Sequence, residues 1–363
     1  MQFIDNEFVK IIKSENFNMI FRKDDGYMAT WGKTEDEDPD FCPYGPLIAD
    51  IEISTICHQG CPACYKGLTK NGKNMSLETF KKLFAKLPKT LGQIAFGLGT
   101  LTAAPEAFDI FQYCRDNDVV PNLTINGSGM TPELFDKLAG VLGACAVSFY
   151  DDDNCFNAVN ELSKRGMNQV NIHAILSTLT YQNCYDLIDK AATDPRLKGL
   201  NAIVFLSLKP KGRGINMSPV RNVEAYRKLI EHAFEKKVGC GFDSCGAGIF
   251  LEAMKDAPNY KQLSQLAEKC EAFLQSVYLD VDGRVWPCSF CEDVEEPVDL
   301  MADGVTFNDV WHGPVAEKWR NKLLKNCRNC PIYNVGPESS VTEHLVNPMK
   351  RIISKAVKKA LEE

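Results

Sequence analysis

The sequence has no apolar run approaching the ~18 residues of a membrane span. Its start, Met1-Gln2-Phe3-Ile4-Asp5, has neither the basic region nor the apolar stretch of a secretory signal. These two absences predict a cytoplasmic protein that does not touch the membrane. Basic residues are in no excess: 41 Lys and Arg stand against 48 Asp and Glu, a net charge of −7. No electrostatic ground therefore favours a nucleic-acid partner. Internal repeats and low-complexity segments are also missing, which excludes solenoids and disordered arrays. Apolar residues at 45% and charged residues at 25% instead match an ordinary folded chain, and the 363 residues suit two domains.

Cysteine, by contrast, is plentiful, with 15 in the chain. In a reducing compartment, spaced cysteines mark metal ligands or catalytic thiols more often than disulfides. Cys42, Cys114, Cys145, Cys155 and Cys184 are scattered singly and read as buried free thiols. The others gather in two fields: Cys57, Cys61 and Cys64, and the seven from Cys240 to Cys330.

Residues 1–47 read as an irregular lead-in, with Thr34-Glu-Asp-Glu-Asp-Pro-Asp40 as a solvated acidic loop. From Ile48 to about residue 236, short β-rich runs alternate with stretches of helical periodicity, the pattern of parallel βα units. The expected strands are Ala49–Thr55, Gln93–Phe96, Pro121–Thr124, Ala144–Phe149, Val170–Leu176 and Ala202–Ser207. The helices that follow them are expected at Ser76–Leu87, Pro105–Asn117, Thr131–Leu142, Asn154–Arg165, Tyr181–Ala192 and Val223–Lys236. The fold class is α/β: either a partial, open (β/α)6 barrel or a doubly wound sheet, each with its site at the strand C-termini. Residues 237–335 read as a cysteine-dependent α+β domain with a hairpin around Asp282-Gly283. Residues 336–363 form the tail, with an amphipathic helix expected over Pro348–Glu363.

Cys57-His-Gln-Gly-Cys61-Pro-Ala-Cys64 puts three thiols on one tight loop just past the first strand of the repeat. Three ligands suit an iron–sulfur cube with one iron left open. A structural zinc would want a fourth protein ligand, and a zinc or redox loop stands as the alternative.

This C-x3-C-x2-C loop, followed by βα units over residues 48–236, resembles the radical S-adenosylmethionine (radical SAM) superfamily. The resemblance implies a partial TIM-like barrel whose Cys57, Cys61 and Cys64 hold a [4Fe–4S] cluster with SAM on the open iron. It further implies reductive cleavage of SAM to a 5′-deoxyadenosyl radical that takes a hydrogen atom from substrate. The electron would come from a flavodoxin- or ferredoxin-type donor. By the same resemblance, SAM contacts fall to Gly97 and Gly99, to Thr124 and Asn126, to Ser148, and to Asn171, His173 and Ser177. The family's Gly-Gly-Glu carboxylate is absent, since Gly97-Leu98-Gly99-Thr100 stands in its place. Ala63 occupies a position commonly aromatic in the family, with Tyr65 as the substitute for packing on adenine. His173, in an apolar alternation, reads equally as a core histidine. Arg213, in Lys209-Pro-Lys-Gly-Arg213-Gly, is expected at the barrel mouth on the SAM carboxylate or a substrate anion, or in a solvated basic loop.

Cys270-x12-Gly283-x4-Cys288 and Cys327-x2-Cys330 resemble the twitch or SPASM extension of one branch of this superfamily. The resemblance implies one auxiliary [4Fe–4S] cluster on Cys270, Cys288, Cys327 and Cys330, with zinc on the same residues as the alternative. The further C-x5-C-x3-C ligands of a full SPASM domain are absent. Cys240, Cys245 and Cys291 are left over. Cys245 reads as a ligand in place of one of those four or as the catalytic thiol that donates a hydrogen atom to a substrate radical, and Cys291 reads as either too. The branch modifies ribosomally made peptides or oxidises small molecules, so a peptide substrate is expected first and a small molecule or nucleoside second. A non-catalytic iron–sulfur or zinc protein is the third reading.

Overall fold

The computed structural model describes residues 1–337 apart from Asp25 and Leu266. The tail helix expected over 348–363 lies outside the described residues.

The first residues are not irregular. Four short strands, β1 (Gln2–Asp5), β2 (Val9–Lys13), β3 (Asn18–Arg22) and β4 (Met28–Trp31), form an antiparallel meander in chain order. Ile12, Phe17, Met19 and Phe21 pack with Cys42, Leu47 and Val120. The Lys10 ammonium donates to the carbonyls of Lys89 and Leu91 at 3.1 and 2.7 Å. The meander thus closes the end of the molecule where the parallel strands begin. The acidic run 34–40 lies in a mostly exposed loop, as expected.

Six expected strands are present: β5 (Ile48–Glu52), β6 (Gln93–Gly97), β7 (Val120–Ile125), β8 (Ala144–Ser148), β9 (Val170–Leu176) and β10 (Ala202–Ser207). Each is followed by its helix: α1 (Leu77–Phe84), α2 (Ala107–Asp116), α3 (Pro132–Val141), α4 (Asp152–Lys164), α5 (Tyr181–Thr193) and α6 (Val223–Lys236). Side chains start several of these helices. Ser76, Thr131, Asp151 and Asn222 each accept an N–H of the first turn, as N-caps do. The strands are parallel and pair in sequence, which gives the open, partial barrel.

The sheet runs further than six strands. β11 (Cys240–Phe242) adds beside β10, and β12 (Ser276–Leu279) lies parallel to β5 on the other side. β13 (Arg284–Trp286) and β14 (Val298–Asp299) extend that side in antiparallel fashion, making one ten-stranded sheet. The expected hairpin is therefore real, with Gly283 at φ +79° in its turn, where a side chain would also strike Met301 and Leu83. The cysteine-rich segment adds α7 (Ala247–Met254), α8 (Tyr260–Ser264), α9 (Phe307–Trp311) and α10 (Pro314–Lys325). It shares one continuous core with the barrel. Buried Trp311 stacks on Phe41 at 5.9 Å and donates its indole N–H to the Cys42 carbonyl at 2.9 Å. Among the described residues no helix is long and apolar enough to cross a membrane.

Candidate radical SAM site

The C-terminal ends of β5 to β10 open onto a cavity of about 510 Å³. Cys57, Cys61 and Cys64 line one side, on the loop that leaves β5. Gly97, Gly99, Thr124, Asn126, Ser148, His173 and Arg213 line the rest of that mouth. The structure thus brings together ten of the residues expected there. Gly99 is constrained by closeness, since a Cβ on it would lie 2.4 Å from the Ile56 carbonyl and 2.5 Å from Cys57 Cβ. The glycine at the end of β6 therefore lets the cysteine loop seat against it. His58 is exposed and is not part of the cavity wall, and its backbone N–H donates to Thr100 Oγ1 at 3.0 Å.

Arg213 faces the cavity, but its guanidinium holds protein rather than waiting for an anion. Nε donates to the Cys61 carbonyl at 2.7 Å and Nη1 to the Leu68 carbonyl at 3.0 Å. Its own N–H donates to the Cys64 carbonyl at 3.0 Å. The loop after β10 is in this way laced to the cysteine loop. Lys209 is no solvated lysine either, since its buried ammonium pairs with Asp243 at 2.6 Å.

His173 is both cavity wall and near-core. Burial lowers its pKa to about 4, so the imidazole is neutral, and Nδ1 lies 3.5 Å from Thr124 Oγ1. Asn171 does not reach the site. It sits near the beginning of β9, two residues before His173 and toward the far end of the barrel, and accepts from Asn201 Nδ2 at 2.9 Å. Ser177 is buried and spent on Thr180, at 2.9 Å. Tyr65 is stacked on Phe290 at 4.1 Å, so its ring already has a partner.

The second field of thiols assembles beside the cavity. Cys245, Cys270, Cys288 and Cys330 are half-buried and close enough to influence one another, and Cys291 Sγ lies 3.4 Å from Cys288 Sγ. Burial, with neighbouring thiols behind it, pushes Cys270 up to about 12, so binding of a cation there must displace protons. Cys327 differs, because its thiol is exposed. It occupies a turn in which Cys327 and Arg328 both have positive φ, 52° and 59°. Among the described residues no three His, Cys, Asp or Glu side chains converge on a single point.

Residues 270–331 match the SPASM family model, an iron–sulfur cluster-binding domain. By overall fold the chain is similar to SuiB of Streptococcus suis bound to S-adenosylmethionine: TM-score 0.67, 12% identity, 93% of this chain and 99% of that one. It is similar also to SuiB bound to its precursor peptide SuiA (0.66, 10% identity, 88% and 90%). A third similar structure is anSMEcpe with AdoMet and the Cp18Cys peptide (0.55, 14% identity, 75% and 82%). The chain thus has the partial-barrel fold of these structures, and its residues 270–331 match the SPASM model. No curated protein sequence matches the chain.

Several residues near the site escaped the sequence reading. Tyr150 also lines the cavity, close to Cys61. Lys66 is held between Glu52, at 3.2 Å, and Glu292, and the Tyr278 hydroxyl donates to Glu292 at 2.8 Å. Asp50 also lines the cavity. The signal for Asp50 and Glu52 was present: two carboxylates alternate with apolar residues in a central parallel strand, where a continuous apolar run is the norm.

Proposed function

We propose that this protein is a radical SAM enzyme that oxidatively modifies a substrate held in the barrel cavity, and that the substrate is a ribosomally made peptide. One observation carries the reading. The cysteine loop leaves β5 into a cavity that Gly97, Gly99, Thr124, Asn126, Ser148 and His173 also line. The donor set fits a [4Fe–4S] cluster, because three thiols spread along one wall can each take a different iron. Cys57, Cys61 and Cys64 would hold that cluster, and with SAM beside it the pair would supply one-electron chemistry for taking a hydrogen atom from a substrate.

The chain's own residues position and enclose that chemistry. Arg213 fixes the Cys61 and Cys64 carbonyls, and Gly99 keeps β6 against Cys57. Neutral His173 offers a hydrogen-bonding nitrogen without adding a charge. Phe290, two residues past Cys288, reaches into the cavity mouth and links it to the SPASM segment. In that segment Cys270, Cys288, Cys327 and Cys330 would hold one auxiliary cluster. The paired left-handed residues at Cys327 and Arg328 are a strained turn of the kind that persists when something else fixes it. Cys245, beside Lys209 and Asp243, then remains as a thiol that can donate a hydrogen atom. The peptide class is supported by the likeness of fold to SuiB with SuiA and to anSMEcpe with its peptide.

Anaerobic reconstitution should give about eight irons per chain for two cubes. Reduced protein, with dithionite or a flavodoxin- or ferredoxin-type donor, should release deoxyadenosine from SAM. Replacing Cys57, Cys61 and Cys64 together by Ala should remove about half the iron and all of the deoxyadenosine. A triple variant that keeps both overturns the assignment. Co-expression with short peptides encoded beside the gene, read by mass loss, tests the peptide class.

A further inference from the structure

The cavity wall is rich in charge, and its cations are already engaged. Lys66 lies between Glu52 and Glu292. Lys209 is paired with Asp243, and Arg213 is spent on two backbone carbonyls. Asp243 also accepts the N–H groups of Ser207 and Gly246, each at 3.0 Å. Asp50 is different. Among the described residues its carboxylate has no hydrogen bond and no ion pair.

The strand explains why. Ala49 and Ile51 of β5 are fully buried in the core, so Asp50 and Glu52 project to the opposite face, toward the cavity. In register, Asp50 stands between Ala95 of β6 and Tyr278 of β12. Ala95 offers only a methyl group, and the Tyr278 hydroxyl is turned to Glu52 and Glu292. Asp50 is deep in the molecule yet exposed to the cavity space. Glu52 is level with Gly97, so Asp50 lies one inward layer below the glycine rim. Its carboxylate lies open to the cavity with no protein cation on it, so a cationic group entering there meets an unpaired charge.

We infer that Asp50 recognises a cationic group, an ammonium or guanidinium, on the substrate and holds it in the barrel one layer below the glycine rim. This rests on the radical SAM reading for the word substrate, while the cation site itself rests on Asp50 and its surroundings. SAM also carries an ammonium, so the two sources of the same chemistry must be separated by the test.

The probes are n-butylguanidinium, n-butylammonium and n-butanol, titrated into reconstituted protein by saturation-transfer NMR with and without saturating SAM. Wild-type protein should bind the two cations about tenfold more tightly than the alcohol, the scale of one charge-assisted hydrogen bond. The preference should persist with SAM present and vanish in Asp50→Asn. Asp50→Leu, checked for a native circular-dichroism spectrum, should lose it as well. Equal cation affinity in wild type and Asp50→Asn overturns the inference. Displacement of the cations by SAM also overturns it, because Asp50 would then belong to SAM. Deoxyadenosine formation by the wild type is read separately: its absence sinks the radical SAM reading, while the titration still decides the role of Asp50.

Discussion

Asp50 shapes the stability of the protein as well as its cavity. Burial pushes its carboxyl up to about 6, from the ordinary ~4. Between those values the unfolded chain has released the proton while the folded chain keeps it, so stability falls as pH rises through the window. Above about 6 the folded state carries an unpaired charge near Glu52, Tyr65 and Tyr278, with Lys66 committed elsewhere. Asp50→Asn should therefore raise the melting temperature at pH 7.5, and the gain should shrink toward nothing near pH 4. A pH series of thermal melts checks this, and a variant less stable at pH 7.5 would contradict it. At Arg213 the sign reverses. Arg213→Met leaves the Cys61 and Leu68 carbonyls without their donor, and because both bonds are exposed this costs about 1 kcal/mol at most locally. Reconstituted iron and deoxyadenosine yield should both drop, with Arg213→Lys recovering only part because it lacks the planar fork.

Elements were legible where periodicity is long and capped. The six helices after β5 to β10 fall close to their expected places because apolar spacing and Ser, Thr, Asp or Asn caps agree. Short strands were harder. β2 (Val9-Lys-Ile-Ile-Lys13) and β3 (Asn18-Met-Ile-Phe-Arg22) alternate in burial over five positions but not in polarity, so the sequence carries no period-two signal there. β11 has three residues and β12 four, and nothing local says that β12 pairs with a strand more than two hundred residues earlier. The site was legible for the same reason as the helices: the loop cysteines and rim glycines follow strands that could be drawn. Asn171 was misplaced because a strand assignment does not by itself say which end faces the site. In the second field, spacing and geometry divide over Cys327 and Cys245. Cys327→Ala should lose about half of the iron, whereas Cys245→Ala should keep it and lose modified product. The reverse result would make Cys245 the ligand.

At the scale of the whole molecule, the expected boundary near residue 237 does not separate two independent bodies. β12 completes the hydrogen bonding of β5, while the Leu274 and Gln275 carbonyls accept from Cys42 and Leu47 at 3.0 and 2.8 Å. A chain ending at residue 236 would expose the edge of β5 together with the surface that Trp311 covers. Such an edge is a template for association. The truncated chain should therefore elute as aggregate in size-exclusion chromatography rather than as a monomeric barrel.

The partnership of β5 with β12 also sets a clock. Residue 276 leaves the ribosome 224 residues after residue 52. At about 5–20 residues per second, that is an interval of roughly 10–45 s. Throughout it the strand that leads into Cys57, Cys61 and Cys64 has lost one of its two neighbours-to-be, and the wall that Tyr278 and Phe290 later supply is missing. The first cysteine loop then lacks part of the wall that later surrounds it, so the order of synthesis leaves it more open to iron and sulfide early on than in the finished fold.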